Sequence, residues 1–225
     1  MFPETAVVTG ASGGIGGALV AALEAEGTTV RRLDLVGGFD VSDPQAWIDV
    51  PGADLVCLNA GVLARGDGSV EDYRRILGVN VDGVVLGLQT LAPRMREGSA
   101  FVVTASLAGL IPMASDPLYT LTKHAVVGYA RAMAEVLAPR RIRVNLVCPG
   151  IVRTPMTDAQ QATLDAAGFP LMEPEQIAAA VLVAARSELT GRAWVCQPGR
   201  EPLLFRFPGV PGPRVEGAEG MVPQI

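Results

Sequence analysis

Thr9-Gly10-Ala11-Ser12-Gly13-Gly14-Ile15-Gly16 follows the apolar run Ala6-Val7-Val8 and precedes a stretch of helical periodicity reaching residue 26. The apolar run reads as a buried strand, and the glycines set a turn almost bare of side chains before the helix. Such a backbone can approach a pyrophosphate, whose charge is met by loop N–H groups and the helix N-terminus. The spacing is GxxxGxG rather than the GxGxxG of many dinucleotide-binding folds. Glycine loops also form ordinary turns, and it is the placement between strand and helix that favours a ligand. Gly10, Ser12, Gly14, Ile15 and Gly16 are the expected contacts of the loop.

The same alternation continues along the chain. Residues 29–33 read as a second strand and 54–58 as another, ended by Asn59-Ala60-Gly61. A helix is predicted over 79–95, a strand over 100–104, a helix over 118–137, and a strand over 143–147 stopped by Pro149-Gly150. Glu173-Pro174-Glu175-Gln176 opens a last helix with acidic residues in its first turn, and 193–196 forms a final short strand. Strands alternating with helices define an α/β domain with a mostly parallel sheet. Asp34 and Asp40 are too close for a helical crossover, which takes a dozen residues or more. Either a tight loop replaces a helix or the third strand is vestigial, and a Gly37-Gly38 turn is expected. One domain spans 1–199. The tail, 200–225, carries prolines at 202, 208, 211, 213 and 223, and regular structure is not expected there. It is either a disordered terminus or a segment whose Leu203, Leu204, Phe205 and Phe207 pack on a neighbouring subunit or beside a substrate cleft.

Composition narrows the function. The chain has 225 residues, 49% of them hydrophobic and 5% aromatic, so its core rests on Ala, Val, Leu and Ile. A net charge of −5 argues against a nucleic-acid partner, which needs a basic face. Cys57, Cys148 and Cys196 sit in apolar runs without CxxC spacing, which argues for reduced core thiols and against a disulfide framework or zinc site. With a single histidine, His124, mechanisms needing several His ligands are excluded, and no metal is expected. The start, Met1-Phe2-Pro3-Glu4, carries no secretory signal, and the apolar stretches fall short of the ~20 residues of a membrane span. A soluble cytoplasmic protein is expected.

Asp34 ends the second strand, where a carboxylate can accept hydrogen bonds from both ribose hydroxyls of an adenosine. It would repel a 2′-phosphate, since a charge pair at ~4 Å is worth about 4 kcal/mol at an effective dielectric of about 20. Arg32 lies on the same strand face but about 7 Å upstream. The expected cofactor is therefore NAD rather than NADP.

Tyr119 and Lys123 are four apart and share a helix face. A free tyrosine has a pKa of about 10, and a neighbouring ammonium is expected to lower it. Lys123 is the only lysine in the chain, and arginine's wide fork could not replace a compact ammonium that also bonds ribose hydroxyls. Ser106 lies just past a strand, placed to donate to a substrate oxygen as charge develops. His124 is turned about a quarter of the helix away and is expected to point elsewhere.

TGASGGIG at 9–16, Asn59-Ala60-Gly61, Asn80 in NVDG, Ser106, Tyr119-xxx-Lys123 and PGIVRTP at 149–155, taken together, resemble the short-chain dehydrogenase/reductase family over residues 5–198. The resemblance implies a Rossmann-type doubly wound, mostly parallel sheet of six to seven strands. It implies an alcohol–ketone oxidoreductase with Asn80, Ser106, Tyr119 and Lys123 as catalytic residues, Asn80 acting through a helix irregularity and water as a proton relay. It places Asn59, Ala60, Gly61, Tyr119, Lys123 and Pro149 against the cofactor, Asp40 and Val41 at the adenine, and Val152 and Thr154 at the carboxamide. Leu110, Ile111, Met113, Met156, Leu164, Phe169, Leu171 and Met172 are expected to wall an apolar pocket for a small-molecule alcohol or ketone. Rival readings are an epimerase or dehydratase on the same scaffold, and a non-catalytic NAD-sensing protein. An enoyl reductase would call for a longer tyrosine-to-lysine spacing. By analogy, with apolar residues around much of helix 118–137, a homodimer or homotetramer is expected.

Overall fold

β-branched and apolar runs make seven strands: β1 (Thr5–Thr9), β2 (Thr29–Leu33), β3 (Leu55–Leu58), β4 (Ala100–Thr104), β5 (Arg143–Pro149), β6 (Ala193–Cys196) and β7 (Leu203–Leu204). In the computed structural model, which describes residues 3–215 and 217, they form one sheet in the order β2-β1-β3-β4-β5-β6-β7. All pairs are parallel except β6 with β7. β3 and β4 are buried along their whole lengths because helices cover both faces, whereas β2 at the edge buries only Leu33. On one face α1 (Gly14–Ala25) and α6 (Pro174–Arg186) pack Leu19, Leu23, Ile177 and Val181 against the sheet. On the other, α3 (Gly83–Leu91) and α4 (Pro117–Leu137) contribute Leu88, Leu91, Val126 and Ala130 beside Trp47 and Phe101. The architecture is the doubly wound Rossmann-type sheet expected, with seven strands.

Several elements differ from expectation. Between β2 and β3 there is no strand: two 3-10 turns, Leu35–Gly37 and Pro44–Trp47, carry the chain across. Gly38, at φ 81°, closes the first in a left-handed conformation suited to glycine, so the tight turn forms where it was expected. The helix expected from residue 79 begins nine residues earlier. Ser69 caps α2 (Val70–Leu77) by accepting from Asp72 N, and one π turn, Gly78–Asp82, joins it to α3. The whole run, Val70–Arg94, spans 25 residues and is long and apolar enough to cross a bilayer, contrary to the sequence reading. Here it is a core helix, burying Ile76, Val84, Leu88 and Leu91. A helix missed altogether, α5 (Asp158–Ala166), covers the approach to the site and buries none of its residues.

The tail is not without regular structure. β7 pairs with β6 as Trp194↔Leu204 and Val195↔Leu203. Phe205 and Phe207 stack edge to face at 4.9 Å, and the Arg131 guanidinium lies 3.8 Å over the Phe207 ring. Composition hid this because two residues of strand suffice once a bare sheet edge is offered. Pro223, like Met1 and Phe2, lies outside the described residues.

Candidate active site

β1 leads to β2 on one side and its other neighbour, β3, leads to β4 on the far side, so a crevice opens at the carboxyl ends where the winding reverses. The cavity there has a volume of about 1040 Å³. Gly10, Ser12, Gly14, Ile15, Gly16, Asp34, Asp40, Val41, Asn59, Ala60, Gly61, Ser106, Tyr119, Lys123, Pro149, Val152 and Thr154 all border it. Asn80 does not. It is buried behind the wall, where its Oδ1 accepts from Val62 N (2.8 Å) and its amide donates to Val62 O (2.9 Å) and Thr122 Oγ1 (3.0 Å). It belongs to the π turn, which is the helix irregularity the resemblance implies. Gly61 lies over both Asn80 and Lys123: a Cβ there would be 3.4 Å from Asn80 Oδ1 and equally close to Lys123 Nζ.

The floor of the crevice fits a dinucleotide. Gly10 adopts φ 64°, and a Cβ at Gly16 would overlap the Gly10 carbonyl, so the loop can fold this tightly only without side chains. Gly13 at the N-cap of α1 offers no side-chain acceptor, leaving first-turn N–H groups to an anion. Asn59 Oδ1, at the cavity, is buried without a hydrogen-bond partner among the described residues. Asp34 accepts from Ser12 N (2.9 Å) and Val36 N (3.0 Å), which fixes its carboxylate at the end of β2. Arg32 is held elsewhere, paired with Glu24 of α1 at 2.7 Å.

At the other end, Ser106 and Tyr119 both border the cavity, and the Ser106 hydroxyl accepts from Ala108 N at 3.1 Å. Lys123, a buried side chain, donates from Nζ to the Thr104 carbonyl at 3.0 Å and lies 5.4 Å from the Tyr119 ring centre. An ammonium has three donors, so two remain for ribose hydroxyls. The expected lowering of the tyrosine pKa is not found. Burial pushes Tyr119 up to about 12 against the weaker pull of the neighbouring Ser106 hydroxyl, and burial brings Lys123 down to about 8. Both charged forms lose hydration on burial, and for each that loss is the largest influence.

Of the residues expected to wall the pocket, Ile111, Met113, Met156 and Leu164 do so. Leu110 packs on the core, Met172 is buried against the α1/α6 layer, and Phe169 and Leu171 lie outside the cavity. His124 is exposed, with Nδ1 3.0 Å from the Thr120 carbonyl, and stays clear of the cavity as expected. Sequence reading missed Asp116, the N-cap of α4, whose Oδ1 accepts from Tyr119 N at 2.8 Å and Oδ2 from Ala64 N at 3.0 Å. The signal was available: an Asp followed by Pro117 at the first helical position marks a helix start.

A glycine-lined crevice at the switch point of a doubly wound sheet places the molecule among Rossmann-type dinucleotide-binding proteins. Comparison with known proteins is more specific. The family model described as enoyl-(acyl carrier protein) reductase matches residues 45–196. The 3-alpha-(or 20-beta)-hydroxysteroid dehydrogenase of Mycobacterium tuberculosis is 33% identical over 190 residues, 70% of this chain and 72% of that protein. The 1-deoxy-11-beta-hydroxypentalenate dehydrogenase of Streptomyces avermitilis is 31% identical, covering 80% of each chain. Among solved structures, BdcA in complex with NADPH superposes with a TM-score of 0.77 at 27% identity, over 85% of this chain and 92% of that one. This chain belongs to the short-chain dehydrogenase/reductase family and is an oxidoreductase of that family.

Proposed function

We propose that the protein interconverts a hydrophobic secondary alcohol and its ketone with NAD, using Tyr119 as general acid and base. The observation that carries this reading is the meeting of Ser106, Tyr119 and Lys123 at one cavity, with the buried Lys123 Nζ 5.4 Å from the Tyr119 ring centre. Bound here, a nicotinamide accepts or supplies the hydride. In the oxidising direction Tyr119 takes the hydroxyl proton, and Ser106 donates a hydrogen bond to the substrate oxygen as charge develops there. In the reducing direction Tyr119 gives that proton back. Lys123 holds ribose hydroxyls and supplies positive charge beside the phenol. Asn80 orders the route by which water reaches Lys123. Asp40 and Val41 border the adenine, Pro149 lines the cofactor, and Val152 and Thr154 meet the carboxamide.

NAD is favoured by the Asp34 carboxylate at the ribose end and by the pairing of Arg32 with Glu24. BdcA, by contrast, is described with NADPH, and a Burkholderia cenocepacia relative of 26% identity with NADP. The alicyclic alcohols named for the relatives, and the Leu107, Ile111, Met113, Met156 and Leu164 lining, support a ring-containing apolar substrate. A cytoplasmic homodimer or homotetramer completes the proposal, with the exposed Ala125 side of α4 as its basis.

Titration with NADH and NADPH, followed by nicotinamide fluorescence, tests the cofactor, and NADH is expected to bind at least tenfold more tightly. Equal or reversed preference would overturn the NAD assignment. NADH binding without turnover of any secondary alcohol would favour a cofactor-sensing protein instead.

A further inference from the structure

Four successive residues of one cavity-lining loop are held by side chains from three different helical segments. Val62 is clasped at both N–H and carbonyl by Asn80 of the π turn. The Leu63 carbonyl accepts from the Arg75 guanidinium of α2 at 2.7 Å. Ala64 N–H donates to Asp116, the cap of α4, at 3.0 Å. Arg65 N–H donates to Asp72 of α2, a buried carboxylate also paired with Arg75, at 2.6 Å. A surface loop fixed by this many side chains has little conformational freedom left to lose when a ligand binds. Residues 62–66 all border the cavity, and Arg65 is the charged residue among them.

Arg65 and Lys123 are the two cationic residues among the described residues that border the cavity. Lys123 is committed to the Thr104 carbonyl and to the reacting end. Arg65 is not needed there, and its ion pair with Glu71 is long at 3.7 Å between side chains 55% and 85% exposed. Such a pair contributes little and is easily exchanged. The Asp116 carboxylate bonds both Ala64 N and Tyr119 N, so the loop sits against the first turn of α4, on the side of Tyr119 rather than of the glycine loop. The lining also includes the apolar Leu63, Leu107, Ile111, Pro112 and Met113, with Ser115 and Asp116 beside Tyr119.

We infer that Arg65 is a specificity-determining residue, and that the substrate is an apolar ring alcohol carrying a carboxylate or comparable anion at the end remote from the hydroxyl. The inference rests on the oxidoreductase reading above. A guanidinium suits this task because its planar fork meets a carboxylate with two parallel hydrogen bonds, fixing the orientation of the ring as well as holding it.

The test uses the purified full chain with NAD and three cyclohexanols bearing a carboxylate, its methyl ester or a methyl group at the 4-position. The unmodified protein is expected to prefer the carboxylate to the ester by at least tenfold in kcat/KM. Arg65→Gln is expected to bring that ratio near one, mainly through KM, and Arg65→Lys to restore part of it. No preference for the carboxylate, an equal loss on all three alcohols, or weakened NADH binding by Arg65→Gln would each overturn the inference. The last result would place Arg65 at the cofactor phosphates. Turnover of the ester without carboxylate preference sinks this inference alone, whereas failure to oxidise any of the three with NADH bound sinks the oxidoreductase reading with it.

Discussion

Lys123 illustrates how a side chain bordering the cavity can be costly to the fold. Its ammonium is buried and loses hydration, which is why its pKa falls to about 8. A depressed lysine pKa means that the native state binds fewer protons than the unfolded state between about 8 and the unperturbed value near 10.5. The contribution of Lys123 to stability is therefore greatest above that upper value and is lost as pH falls through 8. Against Lys123→Met, which has no proton to exchange, the stability of the unmodified protein should rise by roughly 3 kcal/mol between pH 7 and 10.5, measured by urea unfolding at stepped pH. Tyr119 acts in the opposite sense from about pH 10 upward, where its raised pKa lowers stability, but both proteins carry it and its effect cancels in the comparison. Tyr119→Phe should lower turnover by about a thousandfold while NADH still binds, within the range typical of a lost general acid–base. Asp116→Ala removes a helix cap worth about 1 kcal/mol and also frees Ala64. Its KM should rise more than the loss of melting temperature alone would explain.

The glycine loop and the π turn each do their work through close approach of backbone. At Gly16, Ala would drive its Cβ into the Gly10 carbonyl, so Gly16→Ala should abolish NADH binding and lower stability together. Gly87 serves the packing of α3 instead: a Cβ there would lie 2.6 Å from Leu58 Cδ2 and 2.9 Å from Trp47, both buried. Gly87→Ala should cost about 1–3 kcal/mol in thermal or urea unfolding and leave the relative preference for NADH over NADPH unchanged. The glycine loop was legible because strand, turn and helix there are all encoded within one local stretch. That Tyr119, Lys123 and Ser106 border one cavity was likewise readable, since two share a helix face and the third follows a strand. The start of α2 was missed although its signals are local: Val70, Tyr73, Ile76 and Leu77 recur at helical spacing behind the Ser69 cap. Asp116 also escaped, since what matters in it is a contact with Ala64, 52 residues away. The tyrosine pKa was misjudged for a different reason: charge spacing can be counted along a helix, but burial cannot.

Across the whole molecule, the sheet is finished differently at its two edges. At one edge β7 closes over β6, and Phe205 and Phe207 continue onto the core beside α4. Phe207→Ala should therefore cost on the order of 1 kcal/mol or more in unfolding experiments, since it loses ring burial and the contact with Arg131. At the other edge the sheet stops at β2, because the chain spends residues 34–54 on two short turns and adds no further strand. The outer row of peptide groups on β2 therefore faces solvent, a template that a strand from another molecule could extend into a fibril. Arg31 and Arg32 stand on that border with their side chains exposed. Exchanging both for threonine would keep the strand and strip its charge, and light scattering on gentle heating should then report clumping at temperatures where the natural chain stays clear. The economy of omitting a strand thus leaves two arginines as wardens of an open border.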